Sequence, residues 1–244
     1  MDQANGAPPE DPLAGVPELR SYVTDDEQEK IEALKLVADS VAQMRQLANS
    51  SLIFHPLNVA MFGIVIAVVS RYLYDRKFAP FIIMMTCLGL CTTLLLLFRY
   101  VTQGYLTAAE QINWQWLGSA DVIVTKFGDE IIGTVMIDWI SGEPRQKRKK
   151  AWRGEIKSWA VRLKYREKGV GTALLEDAVK ESRRKGAETV EFADNHANSM
   201  RILPSYYNAK FEKREKRARE LLQDLLEASP TRARRKKGGS GSSR

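Results

Sequence analysis

Arg166-Glu167-Lys168-Gly169-Val170-Gly171-Thr172 is the stretch of this chain whose residue types and spacing are best suited to chemistry. Gly169 and Gly171 carry no Cβ, so successive backbone N–H groups can turn toward an anion and approach it closely. A helical run follows from Thr172 to Lys185, and its positive end adds to the same field. Arg166 adds a charged donor. The ligand suited to such a loop is a phosphate. The spacing is not that of a Walker loop, which needs Gly-Lys-Ser/Thr, and it is one glycine short of G-x-G-x-x-G.

An apolar alternating run, Glu155 to Val161, stands before the loop, so the order is strand, glycine loop, helix. After the helix, Ala187 to Ala193 alternates β-branched and aromatic residues with charge and reads as another strand. A cap-like cluster, Asn195-His196-Ala197-Asn198, comes next, followed by Ser205-Tyr206-Tyr207-Asn208-Ala209-Lys210-Phe211.

The run Glu155–Val161 with Tyr165-Arg166-Glu167-Lys168-Gly169-Val170-Gly171-Thr172 resembles motif A of the GNAT (Gcn5-related) N-acetyltransferases. Leu163 stands where a proline is common. The run 205–211 is similar to the family's L-Y-E-x-x-G-F signature, with Tyr206 at the tyrosine and Phe211 at the phenylalanine; Ser205 replaces the leucine, Lys210 the glycine, and Pro204 falls inside the expected helix. The resemblance implies an α/β (α+β) GNAT acyl-CoA N-acyltransferase fold and acetyl-CoA as donor. It implies that Trp159, Ala160 and Val161 take the pantetheine arm and that Arg166, Glu167, Lys168, Gly169, Val170, Gly171 and Thr172 take the pyrophosphate, with Asn198 a further cofactor contact. Membrane-bound members of the camello-like branch carry an apolar segment within the same fold.

Acetyl transfer from a thioester to an amine needs a proton acceptor for the amine, a donor to the carbonyl oxygen and a proton for the leaving thiolate. No cysteine lies in this half of the chain, so direct attack by the amine is the simpler route. Glu155, six residues before Val161, is the candidate base by resemblance to the histone acetyltransferase branch; its other reading is a solvent-facing residue at the start of a strand. The backbone N–H near Val161 is the implied oxyanion donor. Tyr206 is the candidate acid, with Tyr207 the alternative if the register slips and packing of the last helix the other role for both. His196 either touches the cofactor or the amine, or is a hydrogen-bonded loop histidine. The acceptor class is an amine: a protein lysine, an N-terminus or a small molecule. The competing reading is a catalytically inactive GNAT-fold membrane scaffold.

The elements that must position these residues begin at Glu18–Thr24, a short strand, followed by a helix-start signature at Thr24-Asp25-Asp26-Glu27 and an apolar face at Ile31, Leu34, Leu36, Val37, Val41 and Met44. Ser119–Thr125 and Ile131–Ile140, joined at Gly128-Asp129, read as a β-hairpin. Between these parts lie two apolar runs. Phe78–Phe98 has 21 residues without a charge, and Leu47–Ser70 is charge-free apart from neutral His55; each is long enough to cross a bilayer. The expected organisation is a first strand and helix over 17–46, a transmembrane hairpin over 47–100 (spans near 52–70 and 78–98), a catalytic core over 101–212, and a charged helix with a basic tail over 213–244. Residues 1–16 are expected to be disordered. The hairpin would be inserted into the acetyltransferase domain in place of the family's second helix region, leaving its two flanks on one side of the membrane. An integral membrane protein of an endomembrane such as the endoplasmic reticulum is the expected setting.

The net charge is +7 over 244 residues and is unevenly spread. The first thirty residues hold eight acids and two bases, Arg145–Arg153 holds six bases, and six more follow from Arg232 with no acid. The basic runs suit anionic lipid; they lack interleaved aromatics and any recognisable module, which argues against a nucleic-acid partner. Cys87 and Cys91, the two cysteines, sit four apart in one apolar run, with neither zinc spacing nor a disulfide framework. No metal is expected.

Overall fold

The computed structural model describes residues 17–141, 152–187 and 189–228. The expectations for residues 1–16, for the greater part of the Arg145–Arg153 run and for the tail beyond 228 lie outside these.

A five-stranded mixed sheet in the order β1-β2-β3-β4-β5 forms the centre. β1 (Leu19–Thr24), β2 (Asp121–Phe127), β3 (Glu130–Ser141) and β4 (Trp152–Val161) are antiparallel neighbours, and β5 (Thr189–Phe192) joins β4 in parallel. A parallel neighbour needs a crossover, supplied by α6 (Val170–Arg184). α6 and α7 (Ala209–Ala228) cover one face of the sheet, burying Ile137, Ile156, Leu174, Leu175, Val190 and Leu222 in one core cluster. The first half of α1 (Glu27–Ile53) and the short α5 (Trp114–Leu117) cover the other over Val122, Val124, Met136 and Ala160. Asp26 caps α1 by accepting the Glu29 N–H.

A third cluster joins the second half of α1 (Met44, Ala48, Leu52) to Tyr105 of α4 (Gly104–Glu110), Leu203 and Phe211. It ties α1, α4 and the start of α7 together at the foot of two helices without a buried residue. These are α2 (Pro56–Asp75) and α3 (Pro80–Val101), both long and apolar enough to cross a membrane. Leu57, Val68, Phe81, Leu88 and Leu96 are among their exposed side chains.

The apolar run from Leu47 does not form one helix with the first span. Residues 47–53 belong to α1, and the chain breaks at Phe54–His55. There His55 caps α2 by accepting the Leu57 N–H on Nδ1, and Pro56 takes the first helical position. Arg71–Asp75, expected in the connecting loop, continue α2, and the turn closes at Lys77 in the left-handed region (φ 57°). The ends of α3 and α1 are pinned together: Thr102 Oγ1 donates to Asn49 Oδ1 at 2.9 Å, and Arg45 donates to the Arg99 carbonyl at 2.9 Å.

Candidate active site

The site is built where β4 loses its neighbour. β4 pairs with β5 only from Arg153 to Ile156. The register against β3 then shifts between Ile156 and Ser158, leaving Lys157 as an extra residue. That bulge reverses the alternation, so Ile156, Trp159 and Val161 all face the α6 core. Arg162 N–H donates to the Ile132 carbonyl on the β3 side. By alternation along an antiparallel ladder, Trp159 and Val161 turn their backbone N–H and C=O groups the other way, toward the space beyond the end of β5.

A cleft of about 720 Å³ occupies that space. Its lining includes Trp159, Ala160 and Val161 of β4, Arg166, Glu167 and Gly171 of the loop, and His196 and Asn198 beyond β5. Ser40, Gln43, Leu47 and Ser50 of α1 form one wall, and Phe211, Arg214, Arg217, Ala218 and Leu221 of α7 another. From Ser40 to Ser50 the α1 wall runs about 15 Å.

The glycine loop has the form its residues require. Gly169 is the N-cap of α6 with φ 84°, and Glu167 before it also has positive φ (62°). A Cβ on Gly169 would meet nothing within 4 Å, so the space in front of the helix is open. Ala173 is the first helical N–H taken, by the Gly169 carbonyl at 3.0 Å; those of Val170, Gly171 and Thr172 have no intrahelical acceptor. Gly171 is required for a different reason. A Cβ there would lie 2.8 Å from Trp159 Cζ2, and Trp159 Nε1 donates to the Gly171 carbonyl at 3.1 Å. The indole thus locks the strand end to the loop.

Arg166 folds back across the end of β4. Its Nε donates to the Val161 carbonyl at 2.9 Å and one Nη to Gln43 Oε1 at 2.8 Å. Burial, with the like charge of Arg214, lowers its pKa. Arg201 is held by Glu215 Oε2 at 2.7 Å, and Arg219 donates to Glu215 Oε1 at 2.9 Å. Burial alone would raise the Glu215 carboxyl pKa, but the Arg219 hydrogen bonds and the charges of His196 and Arg201 bring it below the usual carboxylate range. Among the described residues Arg214 and Arg217 have no carboxylate partner, so the α7 wall offers unpaired positive charge to the cleft.

His196 is the most buried titratable group here, its side chain 10% exposed. Nδ1 accepts the Asn198 N–H at 3.2 Å; Nε2 has no hydrogen-bond partner and lies 3.9 Å from Glu215 Oε1. Burial pushes its pKa down, against the opposing pull of Glu215. Asn198 reaches Ser40 Oγ with Nδ2 at 3.5 Å, while its buried Oδ1 has no partner.

Lys168, Gly169, Val170 and Thr172 stand in the loop and first helical turn beside the lining. Glu155 and Tyr206, expected as base and acid, are not brought to the cleft. Glu155 precedes the Lys157 bulge, pairs with Asp138 across the ladder and is ion-paired with Arg153. Pro204 prevents the expected helix, so Ser205–Tyr207 form a short 3-10 turn; Tyr206 is 59% exposed there, edge-on to His55. Tyr207 instead donates to Asn58 Oδ1 of α2 at 2.7 Å. Sequence reasoning missed the α1 wall and the α7 face. The only available signal was the spacing of Arg214, Arg217, Ala218 and Leu221 on one side of a helix that reads as charged all round.

Residues 92–203 match the acetyltransferase (GNAT) family. The match begins inside α3, takes in β2 to β5 and the glycine loop, and ends just before α7. GNAT acetyltransferases use acetyl-CoA as the acetyl donor. Solved structures similar to this chain include a GNAT family acetyltransferase of Staphylococcus aureus (20% identity over 31% of this chain and 56% of that one, TM-score 0.27). Another is an integron cassette protein of V. cholerae (15% identity, 82% and 83% covered, TM-score 0.36). A third is a glucosamine-6-phosphate N-acetyltransferase of Arabidopsis thaliana (16% identity, 38% and 57% covered, TM-score 0.27). The chain spans less than two thirds of the length of the Staphylococcus and Arabidopsis proteins. No curated protein matches it.

Proposed function

We propose that this chain is a membrane-anchored N-acetyltransferase that transfers the acetyl group of acetyl-CoA to an amine presented at the bilayer surface. The observation that carries the reading is the cleft beyond the end of β5, with the backbone groups of Trp159 and Val161 turned into it and the glycine loop at its edge. The residues present fit the donor. The open cradle at Gly169, the free N–H groups of the first α6 turn and the unpaired Arg214 and Arg217 suit phosphates. The Trp159 backbone and the Val161 N–H suit a pantetheine arm that needs backbone partners, the Val161 carbonyl being taken by Arg166 and the Ala160 backbone by β3, and Asn198 Oδ1 is an unused acceptor. When bound, acetyl-CoA supplies an acetyl group activated as a thioester. In this reading Arg166 acts by fixing the end of β4 against α1, and its remaining donors face the phosphates.

The acceptor end is argued from the walls. Gln43, Leu47 and Ser50 lie on the last three turns of α1, and Ser50 stands six residues before α2 begins at Pro56. In a bilayer spanned by α2 and α3 as a hairpin, this end of the cleft would open at the membrane surface. The exposed rings of Phe54, Tyr100 and Tyr206 would lie at the interface. A lysine, an N-terminus or a lipid amine held at that surface is the fitting acceptor. Glu155 and Tyr206 lie off the lining, so in this reading the amine proton leaves through solvent in the cleft. Their placement also favours a second reading, an inactive GNAT-fold scaffold in the same membrane.

Calorimetry of the detergent-purified full chain with acetyl-CoA, beside Gly169→Asp, separates the two. Asp is a good N-cap and tolerates the left-handed region, so the variant keeps the helix while placing a carboxylate in the cradle. Binding by the wild type, its loss in the variant, and acetylation of an amine panel that includes aminophospholipid vesicles are the expected results. Acetyl-CoA binding with no transfer to any amine would favour the scaffold.

A further inference from the structure

Given the transmembrane hairpin proposed above, we infer that the foot of that hairpin is a contact for anionic phospholipid headgroups. It is built from Arg45, Arg99 and Lys210, and the basic run 145–153 takes no part in it. Arg45 lies on α1, and its Nη2 donates to the Arg99 carbonyl near the end of α3 at 2.9 Å. Lys210, in the first turn of α7, reaches α1 from another side, where its Nζ donates to Ser50 Oγ at 3.3 Å. Residues 45 and 50 are about 140° apart around a helix, so the cations stand on different flanks of α1. Both acceptors are neutral oxygens. Among the described residues none of the three cations has a carboxylate within ion-pair distance. Glu212, two residues from Lys210, belongs to a different face of α7. The three charges are thus left for an external anion.

Their height is set by the elements that carry them. Ser50 stands six residues before α2 begins at Pro56, a span of about 10 Å. Arg99 stands two residues before α3 ends at Val101. Lys210 and Arg45 therefore lie about 10 Å or less from the level at which the apolar helices start, roughly one Debye length at physiological ionic strength. The exposed rings of Phe54, Tyr100 and Tyr206 occupy the same stretch of chain as these cations, and aromatic rings beside cations are the composition of a bilayer interface. At the far turn of the hairpin Arg71 is paired with Asp75, and Arg76 lies over the Tyr72 ring. That leaves Lys77 as the one unengaged cation there among the described residues.

The basic run is carried at the opposite end of the sheet. Thr24, from which the chain enters α1, is level with Val122, Met136 and Ser158 across the ladders. Arg166 donates to both the Val161 carbonyl and Gln43, so the middle of α1 is level with the end of β4. α1 thus advances toward the hairpin in the direction that β4 takes from Ser158 to Val161. In the other direction β4 runs back nine residues from Val161 to Trp152, about 30 Å, and β3 ends beside Trp152 at Ser141. Arg153, the described base of the run, is at that far end and paired with Glu155. A cation facing an anionic lipid surface strengthens binding about fivefold, so charge at the foot acts on the bilayer and charge at Arg153 does not.

Native mass spectrometry of the detergent-purified full chain, titrated with phosphatidylglycerol or with phosphatidylcholine of the same acyl chains, reads the contact. Phosphatidylglycerol should bind more tightly, by a factor on the order of 10² for three cations, and the preference should shrink as salt is raised. Arg45→Gln, Arg99→Gln and Lys210→Gln together should abolish it. Lys210→Gln alone changes an exposed side chain, leaves the α1–α3 contact intact and should reduce the preference about fivefold. Replacing Arg145, Lys147, Arg148, Lys149 and Lys150 with Gln should leave it unchanged. Equal binding of the two lipids by the wild type, or a preference that survives Lys210→Gln in full, overturns the inference, as does a preference lost in the 145–150 variant. Release of the wild-type chain from membranes by a carbonate wash overturns the hairpin reading with it; retention without lipid preference overturns the inference alone.

Discussion

Gly169 and Gly171 look interchangeable in a glycine loop, yet they serve different neighbours. Gly169 needs its missing Cβ for backbone conformation and faces open space, whereas Gly171 needs it to admit the Trp159 indole. Gly171→Ala should therefore lower stability by about 1–3 kcal/mol, the usual cost of overpacking. Trp159→Phe, which shrinks the ring, should recover part of that loss in the double variant. Gly169→Ala should cost about 1–2 kcal/mol as left-handed strain, with no recovery from Trp159→Phe. Thermal unfolding of the four proteins checks the difference, and equal rescue of both glycine variants would refute it.

The bulge at Lys157 and the face of α7 decide what the cleft can hold. By reversing the alternation of β4, the bulge puts Trp159 and Val161 on the same side as Ile156. α7 packs Leu222 into the core, and the same face, one to two turns earlier, brings Arg214, Arg217 and Ala218 to the cleft. Arg214→Gln and Arg217→Gln together should weaken acetyl-CoA binding and flatten its dependence on salt, because fewer cations face the phosphates. Calorimetric titration between low and high ionic strength checks this; an unchanged salt slope would remove α7 from the donor site. Leu222→Ala, by contrast, should cost about 2–5 kcal/mol of stability, read in the same protein by thermal unfolding.

Two consequences belong to the molecule as a whole. His196 and Glu215 both have pKa values below their ordinary ones, 6.5 and 4.5. On acidification the unfolded chain takes up protons at these ordinary values while the folded chain still resists, so the stability the two groups contribute is present at neutral pH and lost as pH falls. The first loss should begin just below pH 6.5, and His196→Gln should remove that limb while leaving the carboxylate one. Unfolding midpoints measured from pH 8 to pH 4 check it. The second consequence follows from the proposed hairpin. The full chain should stay with membranes through a carbonate wash, and tags at its two ends should be accessible from the same side; accessibility from opposite sides would exclude a hairpin.

Much of the fold was legible because its signals are local. The opening strand, the capped α1, the Gly128 hairpin and the strand–loop–helix unit at 155–185 follow from alternation, caps and glycine spacing over a few residues. The apolar character of α2 and α3 is likewise a matter of composition. Three things were not local. The helix break at His55 depends on a side-chain cap hidden within a continuous apolar run. The facing of β4 depends on which single residue the ladder with β3 leaves unpaired. The site itself depends on α1, α7 and residue 196 meeting at the end of β5, between segments more than a hundred residues apart. Glu155 and Tyr206 stand at suggestive spacing in the chain, yet neither lines the cleft: Glu155 lies before the Lys157 bulge, paired with Arg153, and Tyr206 lies on a 3-10 turn after Pro204. A linear chain specifies which groups are available and which local shapes they favour; only the closing of long-range contacts determines which of those groups share a cavity.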